Sequence, residues 1–152
     1  GERADSVLAA LHALPEHLTD ETLVLVHDAA RPNLRHADIS TLITAARSHA
    51  DGALLAAPVR DTLKRADRHT CVNATQPRDG LWRALTPQAF PRGLLQHALE
   101  TARAAGVHVT DEAMAIEYLG RHPRLVEGRE DNLKVTTQAD LALVDFLLTR
   151  HA

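Results

Sequence analysis

The chain has 152 residues, 45% of them hydrophobic, and a formal net charge of −3. That suffices for one domain with a real core, and the lack of a basic run argues against nucleic acid or a general polyanion as partner. The single Cys71 excludes an internal disulfide framework and suits a reducing cytoplasm, and neither a membrane-spanning run nor a signal peptide is read.

In chain order, Val7 to Leu14 reads as a short helix that stops before Pro15. Thr22 to Val26 is the first clear strand, apolar and partly β-branched, and it runs into His27-Asp28-Ala29-Ala30-Arg31-Pro32. Ile39 to Ser48 has helical spacing, with Asp38 as its expected N-cap. Ala53 to Val59 is a second strand. Asp61 to Gly80 changes character to polar, short β-like runs with an Arg78-Asp79-Gly80 turn, and reads as a protruding β-arm or an irregular insertion. Pro91 to Ala105 is a helix with proline near its first turn and Gly106 at its end. Val107 to Thr110 reads as a strand and Glu112 to Leu119 as a helix, followed by short strands at Arg124 to Glu127 and Leu133 to Val135. Thr137 caps a last amphipathic helix, with Asp140 in the reciprocal capping position. Strands alternating with helices predict an α/β fold on a mostly parallel sheet. The core is aliphatic, because Trp82, Tyr118, Phe90 and Phe146 are the whole aromatic inventory; Trp82 and Phe90 are expected to anchor the arm. The ten histidines are scattered without HxxxH spacing and do not read as a zinc site.

Ligands of open α/β sheets sit beyond the carboxyl ends of the strands, where Asp28 and Arg31 stand. A carboxylate there suits a magnesium ion that keeps waters and phosphate oxygens, and a guanidinium suits a phosphate; a local Asp28–Arg31 pair accounts for both equally well. Thr62 and Lys64 follow the second strand, as phosphate contacts or as an ordinary polar exit into the arm. Arg78 and Thr86 carry groups suited to an anion, or are solvated. Thr110 is a candidate contact, whereas capping explains Asp111 and Glu112. Lys134 lies in an apolar segment, where an unpartnered ammonium is costly, so it is expected to pair with a carboxylate or hold a phosphate.

Seven segments in order carry a resemblance: Arg3-Ala4-Asp5-Ser6-Val7, Val26 to Pro32, Ala57 to Thr62, Leu81 to Gln88, Thr110 to Ala113, Val126 to Gly128 and Asn132 to Thr136. Together they resemble the 2-C-methyl-D-erythritol 4-phosphate cytidylyltransferase family. The resemblance implies a Rossmann-like nucleotidyltransferase three-layer sandwich in a single domain over 1–152, with a β-arm at about 60–82. It implies cytidylyl transfer from CTP to methylerythritol 4-phosphate with magnesium, releasing pyrophosphate, in non-mevalonate isoprenoid synthesis. In such chemistry a protein mainly positions two anions and neutralises developing charge. By similarity Asp28 holds the magnesium-bound nucleotide and helps place the acceptor, Arg78 and Lys134 position the acceptor phosphate, Arg31, Thr62, Thr86 and Thr110 make further acceptor contacts, and Ser6 lies near the cytosine. The arm is expected to hook onto a second subunit of a cytoplasmic homodimer. The family's N-terminal glycine-rich loop is not found here, so this 152-residue chain is expected to be a C-terminal part, inactive or nearly so by itself. Three other readings stand beside it: a nucleotidyltransferase for another alcohol phosphate such as ribitol phosphate, a receiver domain, and a non-catalytic dimerising remnant.

Overall fold

In the computed structural model, which describes residues 3–150, the chain runs α1 (Arg3–His12), β1 (Leu23–Val26), α2 (His36–Arg47), β2 (Ala53–Pro58), β3 (Leu63–Ala66) and β4 (Val72–Gln76). It continues through β5 (Trp82–Pro91), α3 (Arg92–Ala104), α4 (Glu112–Tyr118), β6 (Arg124–Glu127) and α5 (Gln138–Thr149). The outer ends of the expected 1–152 domain lie outside the described residues. The main sheet has the order β1-β5-β2-β6. β5 is antiparallel to both β1 and β2, and β6 is parallel to β2, so β1, β2 and β6 point one way and only β5 is reversed. The carboxyl ends of those three strands therefore share one rim, to which the residues after Val26, after Pro58 and after Glu127 are delivered.

Both faces of the sheet are covered, which is why β2 is apolar throughout. Its side chains alternate: Leu54 packs with Leu8, Leu11, Phe90, Leu95, Leu99 and Ile116 under α1, α3 and α4, whereas Ala53, Leu55 and Ala57 pack with Leu42, Ala46 and Val126 under α2. The large apolar groups buried in these two layers are aliphatic, Phe90 excepted. Phe90 thus belongs to the core and does not anchor the arm, while Trp82 stays partly exposed. Gly52 (φ +76°) turns the chain into β2; a Cβ there would lie 2.3 Å from Phe90 Cδ1 and 2.5 Å from the Ala89 carbonyl oxygen.

The arm is a two-stranded antiparallel hairpin of β3 and β4, with Lys64 Nζ donating across it to Thr75 Oγ1 at 2.8 Å. β5 is the longest strand, at ten residues, over a stretch to which the sequence reading assigns no element. Between Leu54↔Gln88 and Ala56↔Ala84 its register slips, so that Leu85-Thr86-Pro87 bulges out of the ladder, and the bulge accommodates a proline that has no N–H to donate.

Other expectations are corrected. α1 starts four residues before Val7, and α2 starts at His36 with Arg35 at its N-cap, so Asp38 is a buried first-turn residue and not the cap. Burial pushes the Asp38 carboxyl up, with Arg129 opposing. Neither Val107 to Thr110 nor Leu133 to Val135 joins a ladder. Val109 is buried by docking into the helical layer instead, and Val135 N–H donates to the Ala30 carbonyl at 2.8 Å, a single loop-to-loop bond. The cap of α4 is as expected, with Asp111 accepting from Met114 N–H, and Thr137 and Asp140 form the capping box of α5.

Candidate active site

A cavity of about 250 Å³ opens at the rim where β1 ends, lined by Arg3, Asp28, Arg31, Ala84, Leu85, Thr86, Gln88, Thr110, Asp111 and Lys134. Asp28 is one of these, its side chain only 12% exposed. Oδ1 accepts from Arg3 Nε at 3.1 Å; Oδ2 meets Lys134 Nζ at 3.1 Å and stands 3.6 Å from Arg31 Nε. Burial alone would raise this carboxyl, but the Lys134 hydrogen bond and the Arg3 and Lys134 charges outweigh it and hold the group below the ordinary carboxylate range.

The loop after β1 is locked by an ordered set of bonds. Asp28 N–H donates to Thr86 Oγ1 at 3.0 Å. His27 Nε2 is 3.0 Å from the Arg31 carbonyl, which only accepts, so Nε2 carries the proton; Nδ1, 3.0 Å from Thr86 Oγ1, then accepts from that hydroxyl. The bulge in β5 is what brings Thr86 here. The segment after β6 is fastened to the same loop: Arg31 Nη1 donates to the Asn132 carbonyl at 2.7 Å, and Asn132 Nδ2 to the Thr86 carbonyl at 2.8 Å. Lys134, two residues on, is thereby held over Asp28 although its own side chain is 45% exposed. Burial lowers Arg31, with Asp28 partly compensating, and its Nε is buried without a hydrogen-bond partner.

The opposite wall comes from the start of α4. Gln88 Nε2 donates to Asp111 Oδ2 at 2.9 Å, and its Oε1 accepts from Ala113 N–H at 2.8 Å, so one buried amide ties β5 to the helix. Glu112, expected only to complement the helix dipole, is buried and takes a two-pronged contact from Arg3. Burial pushes Glu112 up, while Glu112 holds Arg3 above its usual value against burial of the guanidinium. The paired state is the ionised one, since both carboxylate oxygens face N–H donors and neither faces an acceptor that a carboxylic acid would need.

Asp28, Arg31, Thr86, Thr110 and Lys134 are thus gathered at one cavity. Arg78, Thr62 and Ser6 are not among its lining residues. Arg78 is exposed at the foot of the arm, its Nη1 donating to the Arg60 carbonyl; Thr62 is exposed at the arm's start; Ser6 is exposed on α1, three residues beyond Arg3. Arg3 and Gln88 line the cavity without having been singled out for it. Arg3 stands in one of the resembling segments, but nothing local marks it as the partner of residues so distant in sequence. Gln88 carries no local signal either, because its stretch does not read as a strand and its burial comes only with β5.

A magnesium ion on Asp28 does not fit this arrangement. Both of its oxygens already face cationic groups, and a divalent ion would have to displace them. Asp111 spends its oxygens on Met114 and Gln88, and among the described residues no group of three or more His, Cys, Asp or Glu is placed to hold a metal.

The sequence profile of 2-C-methyl-D-erythritol 4-phosphate cytidylyltransferase (IspD) matches residues 1–150. The chain is 59% identical over 150 residues to the protein of that name from Stenotrophomonas maltophilia, covering 99% of this chain and 65% of the relative. It is 59% identical over 149 residues to the one from Xanthomonas oryzae, covering 98% of this chain and 55% of the relative. The crystal structure of the Francisella tularensis protein of that name superposes with a TM-score of 0.89 at 35% identity, over 96% of this chain and 68% of that one. A crystal structure of 4-diphosphocytidyl-2C-methyl-D-erythritol synthase superposes with a TM-score of 0.88 at 44% identity, over 97% and 67%. The chain therefore spans 65% of the length of the Stenotrophomonas relative and less of the Xanthomonas one. With the profile matched along almost its whole length, the chain belongs to the 2-C-methyl-D-erythritol 4-phosphate cytidylyltransferase family.

Proposed function

We propose that the cavity at the end of β1 receives the acceptor phosphate in a cytidylyl transfer from CTP to 2-C-methyl-D-erythritol 4-phosphate. The observation that carries this reading is the ammonium of Lys134 held 3.1 Å from Asp28 at a cavity that Arg31, whose Nε faces Asp28 without a hydrogen bond, also lines. A phosphate entering there gains Lys134 and Arg31, while the Thr110 hydroxyl stands on the wall for the polyol and Thr86, its proton given to His27, lines the cavity with an acceptor only. An acceptor-phosphate oxygen attacks the α-phosphorus of CTP; the bond to the β-phosphate breaks and pyrophosphate leaves. The chain's part is to fix the attacking oxygen and offset its charge, which is how positioning lowers such barriers. Magnesium enters as the counter-ion of the triphosphate and not as an ion held by Asp28.

Arg78, Thr62 and Ser6 keep the roles that similarity implies, Arg78 positioning the acceptor phosphate, Thr62 as a further acceptor contact and Ser6 beside the cytosine; in this proposal the first two reach a neighbouring subunit from the arm. Exposed Val72, Leu81 and Trp82 on and beside the arm support its docking on a second copy. No helix among the described residues is long and apolar enough to cross a membrane, and a cytoplasmic homodimer is part of this proposal.

Calorimetric titration with methylerythritol 4-phosphate, competed by ribitol phosphate, tests the reading. Binding that favours methylerythritol 4-phosphate and weakens at least about tenfold in Lys134→Ala is expected, the size of one charge-assisted hydrogen bond. Stronger binding of ribitol phosphate would turn the assignment to another alcohol phosphate, and no effect of Lys134→Ala would overturn the site.

A further inference from the structure

Arg3 carries one guanidinium between two carboxylates from different elements. Nη1 and Nη2 donate to Glu112, the latter to Oε2 at 3.0 Å, and Nε donates to Asp28 Oδ1 at 3.1 Å. The Glu112 side chain is 1% exposed, and a carboxylate that deep requires a cation able to meet both of its oxygens. Only a planar fork does so while presenting a third N–H sideways to another acceptor; a lysine ammonium has no such geometry. Glu112 thus sets the plane of the guanidinium, and that plane sets which oxygen of Asp28 is occupied. With Oδ1 taken, Lys134 and Arg31 share Oδ2, at 3.1 and 3.6 Å.

We infer that Arg3 is a positioning residue of the acceptor-phosphate site: anchored by Glu112, it holds the rotation of the Asp28 carboxylate and so governs how readily Lys134 is released to an incoming phosphate. The inference rests on the acceptor-site reading above and assigns two residues which that reading leaves without a role. Without Arg3 the Asp28 carboxylate turns both oxygens to Lys134 and Arg31, and the ammonium is withheld from the ligand. The same guanidinium also fixes the start of α4, so its loss loosens Thr110 as well.

Arg3→Met alone strands a buried carboxylate, so the test removes the pair together. Arg3→Met/Glu112→Gln is expected to melt within about 4 °C of the parent, whereas its affinity for methylerythritol 4-phosphate falls about tenfold, the equivalent of one charge-assisted contact. In the ligand-free chain, the NMR titration of the Asp28 carboxyl moves up toward the ordinary carboxylate range. Arg3→Lys, which keeps the charge and loses the fork, gives the same direction in both readouts and serves if the double variant does not fold. Unchanged affinity with an unchanged Asp28 titration in either folded variant overturns the role. If the parent chain binds no methylerythritol 4-phosphate, the acceptor-site reading fails, and the ligand-free Asp28 titration alone decides the hold of Arg3: an upward movement upholds it and no movement overturns it.

Discussion

Replacing Asp28 by asparagine keeps the shape of the cavity and removes the one charge that three cations share. Arg3 retains Glu112, and Lys134, 45% exposed, turns to water, so neither is stranded. Arg31, with a side chain 12% exposed, loses its facing charge and keeps only the Asn132 carbonyl. The full penalty for orphaning a buried charge, about 3–5 kcal/mol, therefore does not apply; the loss is about 2 kcal/mol after allowing for solvent at Lys134. For a chain of this size that lowers the melting temperature by roughly 4–8 °C. Ligand binding moves the other way. With the carboxylate gone, inorganic phosphate meets the cations without displacing a competitor, and its affinity rises by about tenfold, less at high salt. The acid limb of stability is a third readout. A carboxyl held below its ordinary value contributes stability that is complete above that value and lost as pH falls through the depressed one. Asp28→Asn therefore loses most stability near neutrality and flattens the acid limb. Melting curves across pH and calorimetry with phosphate check all three. Weaker phosphate binding in a folded Asp28→Asn chain would refute the reasoning, because it would make Asp28 a supporter of anion binding and not a competitor.

Three further outcomes are expected. Gly52→Ala combines an unfavourable φ of +76° with a Cβ 2.5 Å from the Ala89 carbonyl oxygen; about 3–4 kcal/mol of destabilisation in urea is expected, and a midpoint equal to the parent's would be incompatible with this turn. Gln88→Leu keeps the volume but leaves Asp111 Oδ2 and Ala113 N–H without their partner; a loss of about 2–3 kcal/mol is expected, with weaker acceptor binding from the Thr110 wall, read by denaturation and calorimetry. Asp140, pushed down to about 2 by bonds from the backbone and hydroxyls of Thr136 and Thr137, stabilises α5 above its ordinary value of 3.8, and that contribution fades as pH falls from there through about 2. Asp140→Asn should lower helicity at neutral pH and not at the acid end, as followed by circular dichroism.

The helices, the strands β1, β2 and β6, the arm and the α5 capping box are legible in the chain, because each rests on local periodicity, composition or a four-residue motif, whereas the three-layer class is what the family resemblance implies. Asp28 is legible as a rim residue for the same reason: an apolar strand that ends in a carboxylate can deliver it only beyond the sheet. Thr86, a weak candidate by sequence, gains its place through tertiary structure. It sits in a strand whose Pro87 and polar residues argue against a strand at all, and only the β1 and β2 ladders on either side, with a bulge between them, make β5 form there. Leu133 to Val135 shows the converse, a strand-like pattern with no ladder to join. What the sequence by itself determined is the set of charges and, for Asp28, its place beyond the end of a strand, since an apolar run and the carboxylate that ends it are local features; Lys134 stands in a strand-like segment that joins no ladder. Which cation faces which oxygen, and that Asp28 is saturated by Arg3 and Lys134 besides its local neighbour Arg31 instead of open to a metal, only the tertiary structure decided, because Arg3 and Lys134 lie far from Asp28 in sequence and their contacts exist only once the fold has brought them within 4 Å.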